Sequence, residues 1–351
     1  MSFSDKIIFW YQSNHRDLPW RRTQDPYLIW LSEIILQQTR VDQGLPYYLK
    51  FTEHFPTVYD LASANEDTVL KLWQGLGYYS RARNLHAAAK YVVTELGGVF
   101  PTSSGELIKL KGVGEYTSAA IASFSSKEQI AVVDGNVMRV LSRYYGISDP
   151  IDEKEGKTRI SELANELIPS HQPDTHNQAI MEFGALQCTP KATDCQQCPL
   201  IDSCYAYAND LVGGLPIKAK KTKQRDRFFN FIVMNSGKEI LLEKRTGKGI
   251  WQNLYQFPLI ESKKNLATPA DLLKALESNA DFTYKSEVVK HVLSHQILYC
   301  TFWEFQTESL ETAKDQIIVA HNDLGEYGVP RVVENYMDSS GFQERLSLNL
   351  K

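Results

Sequence analysis

The sequence predicts a multidomain chain, with an all-α first part of about 210 residues and a smaller α+β second part. Three observations carry that prediction. At 351 residues the chain is about twice a typical single domain, so each part can bury its own core. Up to about residue 210 apolar residues recur at helical spacing, and beyond it they gather in short β-branched and aromatic runs. Between the two textures Gly213, Gly214 and Pro216 break the pattern, and the basic segment Lys218 to Arg227 follows. The boundaries read as 1–212 for the helical part, 213–228 for a basic linker and 229–351 for the second part.

Each element follows from its local pattern. Ile29 to Gln38, Glu66 to Leu76, Ser80 to Leu96, Thr117 to Phe124 and Glu155 to Ile168 space their apolar residues as helices do. Phe229 to Met234, Glu239 to Lys244 and Ile297 to Phe305 have the length and composition of strands, and Pro269 to Ser278 reads as a helix. A composition of 43% hydrophobic and 23% charged residues excludes a mostly disordered or collagenous chain. No run reaches the ~18 apolar residues of a membrane span, and Met1 to Tyr11 lacks the order of a signal peptide. The expected location is the cytoplasm, with the nucleoid, and no membrane partner is expected.

The net charge of -4 hides an uneven distribution. Residues 1–217 carry 19 basic and 25 acidic side chains, 218–227 carry 6 and 1, and 228–351 carry 13 and 16. A polyanionic partner must therefore be held by local patches and backbone amides, because the global field is weakly repulsive. The ordinary reading of the basic run is a solvated linker.

Three clusters carry chemistry. Cys188, Cys195, Cys198 and Cys204 form C-x6-C-x2-C-x5-C, and Cys300 stands apart in an apolar strand. Four thiols crowded into one loop are poorly explained as disulfides inside a cell. Structural zinc commonly uses two close cysteine pairs, whereas this loop has one pair flanked by single cysteines, which tilts the reading from zinc towards a [4Fe-4S] cluster. Cys300 reads as core packing.

The second cluster is Leu107 to Phe124, where Gly112 and Gly114 sit between an apolar turn and a helical run. This is a helix-hairpin-helix pattern whose bare N–H groups can face a phosphate without reading sequence. The third is a pair of carboxylates. Glu33 shares a helix face with Ile29, Trp30 and Leu36, so desolvation should raise its pKa and suit it to general acid work. Asp134 lies between an apolar run and a helical one, where aspartate is a good helix N-cap, and one oxygen could cap while the other faces a site.

These residues together resemble the helix-hairpin-helix DNA glycosylases with an iron-sulfur cluster, the endonuclease III superfamily. Within it, Arg16-Asp17-Leu18-Pro19-Trp20-Arg21, Ser32-Glu33-Ile34-Ile35-Leu36-Gln37-Gln38-Thr39 and Gly75-Leu76-Gly77-Tyr78-Tyr79-Ser80-Arg81 resemble the adenine DNA glycosylase (MutY) family. The resemblance covers essentially the whole chain. It implies a helix-hairpin-helix glycosylase domain with the cluster loop at 188–204, followed by a nudix-like domain that recognises 8-oxoguanine.

The resemblance implies roles residue by residue. Glu33 would protonate adenine at N7, Asp134 would stay ionised against an oxocarbenium-like sugar or bond to it transiently, and Asn136 would hold Asp134. Tyr116 stands where strand-cutting relatives have a lysine that forms a Schiff base, so a monofunctional glycosylase is expected. Arg16, Trp20, Arg21, Leu36 and Gln178 would line the adenine pocket, Gln38, Leu76 and Tyr78 would meet the interrupted duplex, and Thr39 would bind the substrate. Gly112, Gly114 and Ser80 would contact the DNA backbone, and the four clustered cysteines would hold the [4Fe-4S] cluster.

In the second domain, Leu293-Ser294-His295 falls where the family usually has Phe-Ser-His, with Ser294 contacting 8-oxoguanine and leucine departing from the aromatic. No R-E-x-x-E-E helix occurs between 229 and 351, so nucleotide hydrolysis is not expected. The expected substrate is double-stranded DNA with an 8-oxoguanine·adenine or guanine·adenine pair, and the expected state is a monomer. The alternatives are a bifunctional endonuclease III-like enzyme for oxidised pyrimidines, against which Tyr116 and the extra domain count, and a non-catalytic DNA-binding or zinc-containing protein.

Overall fold

The computed structural model describes residues 1–219, 224–270, 272 and 280–348. Helices α1 (Phe3–Asn14), α2 (Pro26–Leu36), α3 (Val41–His54), α4 (Val58–Ser63), α5 (Glu66–Leu72), α6 (Ser80–Glu95) and α7 (Ser104–Leu107) come first. They are followed by α8 (Glu115–Ser126), α9 (Gly135–Tyr145), α10 (Lys154–Leu167), α11 (Pro173–Leu186) and α12 (Tyr205–Ala208). The chain divides by its contacts into two compact units, Met1–Ala62 with Ala87–Lys221, and Ser63–His86 with Thr222–Lys351. The spatial division is thus not the linear one, because Ser63–His86 groups with the strands.

In the first unit α2 packs against α3 and α8, and α11 packs against α1, α8 and α9. Helix α2 starts where the Asp25 carboxylate accepts the Tyr27 N–H at 2.9 Å, with Pro26 fixing the first turn. It is buried on nearly every side, Trp30, Leu31 and Ile35 completely, which is the signature of a helix running through a core. It ends two residues before the expected Gln38, because Gln37 leaves the helical region at ψ 115° and Gln38 turns into the left-handed region at φ 56°. Helix α9 is apolar on one face and closes at Gly146, whose φ of 70° suits glycine.

The second unit holds one mixed sheet of β1 (Arg225–Asn235), β2 (Glu239–Lys244), β3 (Tyr255–Gln256), β4 (Leu259–Ser262), β5 (Asp281–Lys285), β6 (Val289–Val292), β7 (Gln296–Gln306) and β8 (Gln316–Ala320). Strands β1 and β7 run parallel from Arg225 opposite Gln296 to Asn235 opposite Gln306. Phe229 to Val233 of β1 and Cys300 to Phe305 of β7 are buried on both faces, as a central parallel pair requires. The other pairings are antiparallel.

Strand β1 begins at Arg225, inside the stretch expected as linker. Arg227 pairs with Glu261 on β4 at 2.6 and 2.7 Å, and Phe228 stacks on Tyr299 of β7, so those residues have partners across the sheet. Helix α5 ends at Leu72, short of the expected Leu76, and a turn follows with Gly75 at φ 95° and Gly77 at φ 73°. The expected helix Pro269 to Ser278 lies largely outside the described residues.

Candidate active site

The chemistry of the first unit centres on one cavity of about 190 Å³. Helix α2 contributes Glu33, the lone charge in an otherwise uncharged helix, and leaves it 8% exposed. Burial pushes its carboxyl up to about 7; a hydrogen bond from Tyr116 opposes the rise, nearby Asp134 adds to it and Arg21 opposes it. Tyr116 is the second residue of α8, and its hydroxyl is driven well above the usual tyrosine range by burial and then by Glu33 and Asp134.

Asp134 caps α9. One oxygen accepts the backbone N–H groups of Asn136 and Val137, each at 2.8 Å, and the other accepts the Asn136 amide at 2.7 Å. Burial raises its carboxyl above the usual aspartate range, against the pull of those three hydrogen bonds. Arg139 sets the Asn136 amide by donating to its oxygen at 2.9 Å, while also donating to the Gly184 carbonyl at 2.7 Å and the Cys188 carbonyl at 2.8 Å. Gly184 is needed there, because a Cβ at that position would stand 2.6 Å from the Asn136 Cβ.

The remaining wall comes from three elements. The 3-10 turn Pro19–Arg21 and the segment before it supply Arg16, Trp20 and Arg21; α2 and the residues after it supply Leu36 and Thr39; α11 supplies Gln178, Met181 and Glu182. Tyr11 donates to the Gln178 amide oxygen at 2.7 Å, which fixes which way that amide faces.

A second cavity, of about 380 Å³, lies wholly within the second unit. Leu76, Tyr78 and Ser80 line it together with Leu293, Ser294 and His295 from the loop between β6 and β7. The Tyr78 and Ser294 hydroxyls are hydrogen-bonded to each other. Tyr78 is left-handed at φ 48°, and its ring lies 5.9 Å from the Arg81 guanidinium, which also reaches the Leu76 and Gly77 carbonyls. Gln38 and Tyr78 are thus two of seven non-glycine residues with positive φ among the described residues, a conformation that persists only where neighbours enforce it.

The four clustered cysteines carry no disulfide. Burial pushes the Cys198 thiol up to about 11, and the thiols of Cys188, Cys204 and Cys195 add to the rise, so the four sulfurs share one locality. Buried Arg143 donates to the Cys188 sulfur at 3.4 Å, a cation placed where thiolate charge would collect. Among the described residues, no three His, Cys, Asp or Glu side chains close tightly enough to hold one metal ion. Cys300 is fully buried in β7.

Residues 31–168 match the HhH-GPD superfamily of base excision DNA repair proteins, and residues 230–339 match the NUDIX domain. An adenine DNA glycosylase of Buchnera aphidicola from Schizaphis graminum is 38% identical over 299 residues, covering 85% of each chain. The adenine DNA glycosylase of Schizosaccharomyces pombe is 29% identical and spans 98% of this chain and 90% of its own. A thermostable thymine-DNA glycosylase superposes with a TM-score of 0.55 at 30% identity, over 59% of this chain and 95% of its own.

The chain belongs to the adenine DNA glycosylase family.

It is accordingly a base excision repair enzyme, a hydrolase of the N-glycosyl bond of adenine in DNA. Nine of the residues expected at the reaction centre or adenine pocket line the first cavity, where Thr39 joins them, and six of those expected to meet DNA line the second. Gln38, Gly112 and Gly114 line neither. Gly112 is left-handed at φ 83° in the turn before α8, and Gly114 caps that helix. Sequence reasoning missed Glu182, although it lies four residues after Gln178 on the same face of α11, a spacing that could have found it. It also missed Trp251 and Arg83 in the second cavity, whose distance along the chain from Ser294 hides them.

Proposed function

We propose that the chain removes adenine paired with 8-oxoguanine or guanine, as a monofunctional glycosylase. The observation that carries this reading is the meeting of Glu33 and Asp134, from two different helices, on the wall of one cavity. With its pKa near 7, Glu33 holds a proton at neutral pH and gives it to adenine N7. The C1′–N9 electron pair leaves with the base, which departs as neutral adenine. The Asp134 oxygen not engaged by the helix backbone stabilises the cationic sugar or bonds transiently to C1′. Water then bonds to C1′ and returns its proton to Glu33, leaving an abasic site. Asn136, held by Arg139, keeps the Asp134 carboxylate aimed.

Arg16, Trp20, Arg21, Leu36, Thr39 and Gln178 take the flipped base, with Gln38, Leu76 and Tyr78 at the interrupted stack. Gly112, Gly114 and Ser80 hold the backbone. Leu293, Ser294 and His295 face the opposite base, with the Ser294 hydroxyl reading 8-oxoguanine. We place the functional boundaries at 212 and 229, and the enzyme as a monomer in the cytoplasm, with the nucleoid. Among the described residues no helix is long and apolar enough to cross a membrane. Cys188, Cys195, Cys198 and Cys204 would hold a [4Fe-4S] cluster. An all-thiol donor set beside Arg143 suits it. The cluster would staple the loop that Arg139 and Arg143 grip.

The test is a duplex with one 8-oxoguanine·adenine pair, labelled on the adenine strand. Free adenine with strand cleavage only after hot alkali is expected, because Tyr116 offers no amine for a Schiff base. Cleavage before alkali would revive the bifunctional reading, and an intact strand in both lanes would overturn the substrate.

A further inference from the structure

Glu182 is 1% exposed, lines the reaction cavity and plays no part in the chemistry above. One of its oxygens accepts the Arg16 backbone N–H at 2.8 Å, Arg16 Nε at 2.8 Å and an Arg21 guanidinium nitrogen at 3.0 Å. The other accepts Arg16 at 2.6 Å and Arg21 at 2.8 Å. Five donors saturate a carboxylate, which offers about four acceptor sites, so Glu182 has no lone pair left for a purine. Two guanidiniums, in turn, are held to a single anion at adjacent places on the cavity wall.

We propose that Glu182 is the positioning residue of the adenine pocket, clamping Arg16 and Arg21 to its wall and cancelling the charge they would otherwise project into it. The proposal rests on the reading of Glu33 as the acid. The arginine hydrogen bonds overcome the effect of burial and hold the Glu182 carboxyl down to about 2, so the clamp stays charged at every working pH.

The consequence reaches Glu33. The groups that face it are Tyr116 from α8, Asp134 at the start of α9 and Arg21 from the Pro19–Arg21 turn. Arg21 already favours its ionised form. Removing the Glu182 charge leaves that pull uncompensated, and less of Glu33 holds its proton at neutral pH. Because the acid form is the one that reacts, the rate falls as pH rises through the Glu33 pKa, and the midpoint of that fall should move to lower pH.

The experiment is single-turnover adenine release from an 8-oxoguanine·adenine duplex across the neutral pH range, with wild type, Glu182→Gln, Glu182→Asp and Glu33→Gln. Glu182→Gln should lose about 100-fold at neutral pH, the scale of a misplaced pocket, with its midpoint shifted to lower pH. Glu182→Asp keeps the charge but withdraws it by one methylene, so it should be slowed with the wild-type midpoint. An unshifted midpoint in folded Glu182→Gln overturns the proposal. Where Glu182→Gln does not fold, wild-type rates in Glu182→Asp overturn it and a slowed enzyme with the wild-type midpoint supports it. A fully active Glu33→Gln would instead overturn the acid reading, whereas an inactive Glu33→Gln beside an unshifted Glu182→Gln leaves that reading standing and removes only the clamp.

Discussion

The two cavities handle polar groups in opposite ways. In the first, the carboxyls of Glu33 and Glu182 are taken out of water on core helices, so each is either paired, as Glu182 is, or displaced in its proton affinity, as Glu33 is. In the second, Tyr78, Ser294 and His295 are exposed, and Ser294 bonds to another hydroxyl, that of Tyr78. Breaking a glycosidic bond needs a proton held where water would not hold it, and burial supplies that. Telling two purines apart needs only a difference in one or two hydrogen bonds, which an exposed surface can supply.

Three substitutions test that contrast, beginning where burial does most. Glu33→Gln should cost about 10²- to 10⁴-fold in adenine release, the scale of a general acid, with duplex binding retained in a gel-shift assay. The same variant should be more stable than wild type in alkali. The folded protein keeps the Glu33 proton up to about pH 7 and the unfolded chain releases it near 4.5, so wild-type stability falls as pH rises between those values. The penalty, roughly 3 kcal/mol above pH 7, is absent from glutamine, and the two melting curves should converge in acid. Equal stability at high pH would mean that Glu33 is not desolvated.

Gly184→Ala probes the same cavity from behind. Its methyl group would press on Asn136 and the first turn of α9, costing about 1–3 kcal/mol of stability and turning Asp134 out of line. Thermal melts and release rates should fall together. The smallest effect is expected in the open cavity. Ser294→Ala should remove one hydrogen bond, worth about 0.5–1.5 kcal/mol, and lower the preference for 8-oxoguanine over guanine without slowing guanine·adenine processing. Loss on both substrates alike would show that Ser294 supports the loop and does not read the base.

What the sequence made legible depended on range. The helical character of α2, the capping position of Asp134 and the cysteine spacing each arise from residues within a turn or a loop of one another, so local periodicity exposes them. Glu182 meets Arg16 across 166 positions, and nothing near it in the chain announces two arginines. The same holds for Ser63–His86. Asp67 pairs with Lys244 across 177 positions and Gln74 bonds Glu334 across 260, so helical texture alone assigned that stretch to the helical part. The early start of β1 was hidden because charged residues that read as a solvated run find their partners only once β4 is beside them.

That grouping of Ser63–His86 bears on how the chain can be divided in the laboratory. Glu66 bonds Asn253 at 2.5 Å, Asp67 bonds Lys244 at 2.6 Å, and Arg83 donates to the Gln252 carbonyl at 2.8 Å. A protease cutting in the connector would therefore nick the backbone without parting the pieces, and the fragments should travel as one species on a native sizing column. A gene truncated at the connector does not encode a finished module, because it keeps these acidic side chains and discards the lysine and the asparagine that answer them.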